Sequence, residues 1–194
     1  AHHATWTVPS VPLTPHLWPA LLLFALGVAG VAWAYVRASH ALATWTRDRF
    51  PWWARPLLGG LAFTLMALPL DAAYLNLGTE WLPQAFSGPV PPWAFAVKLA
   101  LTAWCLGWGF KGGEVTPLFV SGALLGAAAA PALGLPGPYL AAVGVVSLFG
   151  ACPQPPLSAL LLGVELFGAG LAAPVLLVGT LAHALRGSRS LYRS

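Results

Sequence analysis

The stretch Gly109-Phe110-Lys111-Gly112-Gly113-Glu114-Val115-Thr116-Pro117-Leu118-Phe119-Val120-Ser121-Gly122 decides how this chain is read. It sets a lysine and a glutamate in a sequence of which only 7% is charged. Gly112 and Gly113 free the backbone for a break ahead of the acid, and Pro117 suits the first turn of a helix beginning there. A break followed by a helix start leaves N–H groups unpaired at the positive end of a dipole, which is a place for an anion.

Around this stretch the composition is that of a membrane protein. Hydrophobic residues make up 58% of the chain and the mean hydropathy is +0.76, whereas a soluble domain carries roughly 25% charged residues. Long apolar runs lack the alternation of a barrel strand, so helices are the spanning element. The abundance of Trp, Gly and Pro fits helices anchored by interfacial aromatics and interrupted inside the bilayer.

The formal charge of +4 reports topology and no nucleic-acid partner, because no basic stripe is interleaved with aromatics. Arg37, Arg47, Arg49 and Arg55 cluster in one connection, and Arg186, Arg189 and Arg193 cluster at the end. Both clusters are expected on the cytoplasmic side, separated by an even number of crossings. Cys105 and Cys152 read as core thiols, with neither a disulfide framework nor a metal pattern. The adjacent His2 and His3 are weak evidence for a metal, and no metal or cofactor is expected. No basic-then-apolar leader opens the sequence.

In chain order, residues 1–15 read as a loop, followed by a first helix over 16–47 whose apolar part, 17–36, has roughly the 20 residues needed to span. A second span covers 52–70, with Trp52-Trp53 at the interface and Gly59-Gly60 allowing a neighbour to approach. Residues 71–92 are broken by Asp71, Gly78, Glu80, Gly88 and several prolines, and predict an outer loop with a short re-entrant helix near 74–86. A third span, 93–110, carries Lys98 in its apolar body, where it can snorkel or pair with an acid; a structural role is favoured. Later pieces are short: 117–130 ending at Pro131, 139–151 ending at Pro153, 156–167 ending at Gly168 and Gly170, and 171–185 ending at Arg186-Gly187. Short segments interrupted by Gly and Pro mark broken helices whose ends meet at an ion site.

Glu114 carries two opposed pressures. The helix dipole favours its carboxylate, desolvation favours the protonated acid, and a group poised between the two can carry a proton; it can equally be a plain helix cap. Thr116 offers a hydroxyl at the helix start, as donor or as cap. Tyr192 is an interfacial anchor or a phenol reaching back to an anion. Glu165, inside an apolar helix, is expected to be protonated, paired or near a helix terminus, in a structural role. A weaker alternative is an intramembrane serine protease with Ser121 and His183 on separate helices. Phe119 stands where that class needs the first glycine of its Gly-x-Ser-Gly.

Gly112-Gly113-Glu114-Val115-Thr116-Pro117, with Leu118 to Gly126 after it, resembles the Gly-x-Phe-x-Pro helix start of the CLC chloride channel and transporter family. Pro155-Pro156-Leu157-Ser158-Ala159 with Glu165 resembles the family's proline-led interface helix, and Leu191-Tyr192 its terminal anion-coordinating tyrosine. Val115 replaces the usual phenylalanine, and Glu114 with Thr116 beside it is similar to the fluoride/proton antiporter branch. The resemblance implies proton-coupled fluoride movement through Glu114 and Thr116. Fluoride is small and strongly hydrated, so its site must replace water with donors such as helix N–H groups and the hydroxyls of Thr116 and Tyr192.

The resemblance covers nearly the whole chain and about the second half of such a transporter. The first half's glycine-rich anion loop and gating glutamate motif are not found. The expectation is therefore an all-α membrane protein, a multi-span bundle with broken and re-entrant helices forming one half of a CLC-type inverted repeat. Residues 1–194 are taken as a single transmembrane domain: loop 1–15, membrane helices 16–187, terminal segment 188–194. Its expected role is fluoride/proton antiport in a bacterial inner membrane, not enzymatic. Glu114, Val115, Thr116 and Tyr192 line the pathway; Gly112, Gly113 and Pro117 support the break. Expected partners are fluoride or chloride, protons, membrane lipid, and a second copy through 156–167 and 171–185 or a missing amino-terminal half. The alternatives are a chloride channel or chloride/proton antiporter fragment and a non-transporting assembly half-protein.

Overall fold

The computed structural model describes residues 8–9, 11–12, 14–15, 17–75, 77–110, 112–152 and 156–186. Among them the ordered elements are all helical. α1 spans Leu17–Arg49, α2 Ala54–Ala67, α3 Trp81–Ser87 and α4 Ala94–Gly107. α5 spans Val115–Leu133, α6 Gly137–Ala151, α7 Pro156–Phe167 and α8 Ala172–Arg186. By length and composition α1 and α5 can each cross a bilayer, while α2, α4 and α6 are apolar but shorter.

α1 buries a stripe at three- and four-residue spacing, from Leu17, Leu21, Phe24 and Val28 to Ala32, Tyr35, Val36 and Ser39. Its opposite face is just as apolar, with Leu22, Leu23, Leu26 and Trp33 exposed. A helix between protein and lipid needs no polar face, so hydrophobic periodicity is weak along it. Past Val36 the exposed face turns polar, with Arg37 stacked on Trp33 at 4.9 Å and Arg49 on Trp45 at 5.1 Å.

The core is the α5–α6 pair. From Tyr139 to Ala151 every residue of α6 is buried. The helices run antiparallel with backbones touching: a Cβ on Gly122 or Gly126 would strike the Gly144 and Leu140 carbonyls, and one on Gly144 would strike Gly122. Small residues four apart permit this approach, which maximises dispersion contact where lipid supplies no hydrophobic drive. Gly59 plays the same part between α2 and α4, lying under the Trp108 side chain while its carbonyl accepts from Trp104 Nε1 at 3.1 Å.

Four contacts gather several helix ends. Thr46 Oγ1 donates to the Gly107 carbonyl at 2.6 Å, joining the ends of α1 and α4. Phe119 and Phe149 meet edge to face at 4.9 Å, joining the start of α5 to the end of α6. His183 Nδ1 lies 3.3 Å from the Gly150 carbonyl, bringing the end of α8 alongside. Glu114 and His40 share a cavity wall, closing the ring. The arginine-bearing ends of α1 and α8 thus lie at one end of the bundle, as the charge pattern predicts. Trp45, Phe50, Trp104 and Trp108 cluster there, as interfacial aromatics do.

Two expectations need correction. The α5 helix does not stop at Pro131 but runs through it to Leu133. Proline there forgoes one ladder bond in the last turn, and termination falls to Gly134 at φ +64°, with Leu135 N–H donating to Ala130 and Gly134 N–H to Pro131. The helix expected over 74–86 is a 3₁₀ turn at Ala72–Tyr74 and the short α3. Gly109, at φ +87°, opens the break by closing α4, and Gly112 and Gly113 lie in the non-helical connection that leads to α5.

Candidate functional site

Gly109 ends α4 in a double hydrogen-bonded cap: Phe110 N–H donates to Cys105 and Gly109 N–H to Leu106, both at 3.0 Å. The chain then turns back, and α5 begins at Val115 with Glu114 at its N-cap position. The first ladder bond runs from Leu118 N–H to the Glu114 carbonyl at 3.1 Å. Because Pro117 has no N–H, the amides of Val115 and Thr116 are the donors that the first helical turn offers. Val115 is exposed, Thr116 half-buried and Pro117 buried.

The Glu114 side chain makes no capping bond to the α5 backbone, so the plain-cap reading does not hold. It is half-buried, with Oε2 shielded from solvent, and it lines two cavities. The first, about 270 Å³, reaches between α4 and the 3₁₀ turn, with Tyr74, Lys98, Thr102 and Cys105 in its wall. The second, about 180 Å³, lies against α1 and is lined by Ser39, His40, Ala43, Leu106 and Glu114. A carboxyl group at a helix N-terminus, between two cavities, can hold or release a proton beside a place where an anion is favoured.

Lys98 is 2% exposed and donates from Nζ to the Tyr74 carbonyl at 2.9 Å. The buried lysine is thus a tie between α4 and the 72–74 turn, and it places a cation in the wall of the cavity that Glu114 also lines. Tyr74 keeps its proton: burial, helped by the Asp71 carboxylate, pushes its phenol above the ordinary range.

The other sequence candidates separate from this site. Glu165 is exposed on α7, two residues before its end at Phe167. Tyr192 lies outside the described residues. Ser121 is fully buried, and its Oγ finds no hydrogen-bond partner among the described residues; the His183 ring addresses the Gly150 carbonyl instead. The Ser121–His183 pair of a protease is therefore not assembled. Cys152 is buried as expected of a core thiol, while Cys105 is half-buried at the cavity wall. Among the described residues no group of His, Cys, Asp and Glu could hold a metal.

Sequence reasoning missed Ser39 and His40 as neighbours of Glu114. The available signal was a polar stripe, Arg37, His40, Thr44 and Asp48, recurring at helical spacing on an otherwise apolar helix. It also missed the Gly122, Gly126 and Gly144 contact, although Gly122 and Gly126 are four residues apart.

Comparison with known proteins places the chain. A family model described as "Voltage gated chloride channel" matches residues 2–187. A "Chloride/fluoride channel protein" of Pseudomonas syringae pv. tomato is 32% identical over 188 residues, which are 92% of this chain and 42% of that protein. The crystal structure of a CLC-type fluoride/proton antiporter superposes with a TM-score of 0.91 at 31% identity, covering 97% of this chain and 49% of the other. The chain spans about half the length of the relatives it matches.

Proposed function

The chain belongs to the voltage-gated chloride channel family, and from that premise we propose that it forms one half of a fluoride/proton antiport pathway. Its apolar helices and its family make it a membrane protein. We read residues 1–194 as one transmembrane unit, in a bacterial inner membrane, with the rest of the pathway supplied by sequence outside these residues. The observation that carries the reading is the position of Glu114 at the N-terminus of α5, between two cavities and two residues from Thr116.

Electrostatics makes that position a coupling device. A charged Glu114 carboxylate competes with an incoming anion for the same positive helix end. Protonation removes the competitor, so an anion can be held by the Val115 and Thr116 amides and the Thr116 hydroxyl. Release of the proton restores the competitor and expels the anion. Coupling follows because one site cannot favour both negative charges at once. The terminal Tyr192 is read as a further donor. Exposed leucines on α7 (Leu161, Leu166) and α8 (Leu176, Leu185) offer a face for lipid or for a second copy of the chain.

The test uses proteoliposomes holding the complete transporter. An imposed fluoride gradient drives proton movement in the wild type, and Glu114→Gln abolishes it. Unchanged coupled transport in that variant sinks the role of Glu114. Chloride moving faster than fluoride without protons selects a chloride channel, a reading supported by the double name of the Pseudomonas relative. Movement of neither anion selects an assembly half-protein.

A further inference from the structure

His40 stands at a boundary between two spaces. On one side it joins a polar groove of about 650 Å³ along the outer face of α1, with Arg37, Thr44, Asp48 and Arg49. On the other it lines the 180 Å³ cavity that Glu114 also lines. That cavity also holds Ser39, only 5% exposed, whose Oγ finds no hydrogen-bond partner among the described residues. A buried hydroxyl in a cavity with imidazole and carboxyl walls fits water well, since each water takes roughly 30 Å³ and needs two to four polar partners.

We propose that Ser39 and His40 form the proton entry to Glu114, with His40 as the relay between the outer groove and the interior water. The inference rests on the antiport reading of Glu114. An imidazolium N–H gives its proton to a cavity water held by Ser39. That water passes one to the Glu114 carboxylate, and the neutral imidazole takes a new proton from the groove. Imidazole suits the step because its two ring nitrogens let it give a proton on one side and take one on the other.

Among the described residues, the charged and titratable groups around His40 can be named element by element. On α1 itself they are Arg37, Asp48 and Arg49 in the groove. Across the inner cavity stands Glu114 at the start of α5, while α4 contributes only the apolar Leu106. Lys98 and Cys105 line the other cavity, and on α8 the His183 ring is engaged with the α6 carbonyl of Gly150. Glu114 is therefore the one carboxyl group that shares the inner cavity with His40 among the described residues.

The experiment measures fluoride-driven proton uptake by proteoliposomes of the complete transporter, across pH, for wild type, His40→Gln and Ser39→Ala. His40→Gln slows uptake at least ~10-fold and flattens its pH profile, and added imidazole restores the rate. Ser39→Ala, too small a change to disturb the helix, slows uptake several-fold while fluoride binding by calorimetry and the melting temperature stay unchanged. Wild-type uptake in both variants, or a slow His40→Gln that imidazole does not restore, overturns the relay while leaving the role of Glu114 standing. A wild type that moves fluoride without protons overturns the antiport reading and the relay with it.

Discussion

Lys98 reaches from the apolar body of α4 to donate 2.9 Å to the backbone carbonyl of Tyr74, 24 residues earlier in the chain. In a bundle with so few charges, a buried ammonium is spent on holding a 3₁₀ turn against a helix. Removing its donor leaves a carbonyl to desolvate without that partner, while removing its charge relieves a desolvation cost. Lys98→Ala, which also loses the packed stem, is expected to lower stability by about 2–3 kcal/mol. Lys98→Met keeps the stem and drops the charge, and is expected to lose less. Melting temperatures of the purified protein in detergent decide the order; equal losses would show that the packed stem contributes little and that the loss belongs to the ammonium and its hydrogen bond.

The contact between α5 and α6 is backbone on backbone, so it has no side chain to give way. Gly126→Val is expected to push the helices apart and cost about 3 kcal/mol, because the atom its Cβ meets is the Leu140 carbonyl. Gly27→Ala, where a Cβ meets nothing within 4 Å, leaves the melting point nearly unchanged. A tolerated Gly126→Val would mean that the core lies elsewhere.

Thr46 is fully buried, and its hydroxyl ties α1 to the Gly107 carbonyl one turn before the break that leads to Glu114. Thr46→Val conserves volume and deletes that bond. A loss of about 1 kcal/mol is expected. Faster hydrogen exchange at the Gly109 to Glu114 connection than in wild type would locate the effect there; exchange spread evenly over all helices would contradict it.

Thr116 makes a cleaner test of anion selectivity, because it is half-buried in the first turn of α5. Thr116→Val removes one donor, worth about 1 kcal/mol and hence several-fold in affinity. Fluoride transport is expected to fall several-fold with chloride transport little changed, both read by ion-selective electrode. An equal fall for both anions would place Thr116 outside the selective site.

Much of this fold was legible beforehand. The breaks after α4 and α7 fall where the glycines of 109–113 and Gly168 stand in the sequence, and Gly109 and Gly168 adopt the positive φ that glycine takes without strain. The helix over 156–167 coincides with α7, and the arginine clusters correctly grouped two helix ends. Pro131 misled because a proline in the last turn costs one ladder bond, which packing can outweigh. Local sequence does not say which of several glycines closes the cap of α4; the hydrogen bonds of Phe110 and Gly109 to Cys105 and Leu106 decide that.

By itself the sequence determined that this chain is helical, lives in a membrane, and carries Glu114 and Thr116 at a helix start, because few charges survive in lipid without a purpose. Tertiary structure decided which apolar faces touch protein and which face lipid. Hydrophobicity is the same on both, so only the close backbone approach of Gly122, Gly126 and Gly144 distinguishes them. It also decided that His40, 74 residues from Glu114 in sequence, shares a cavity with it. No local periodicity encodes a contact that depends on how α1 crosses α4 and the start of α5.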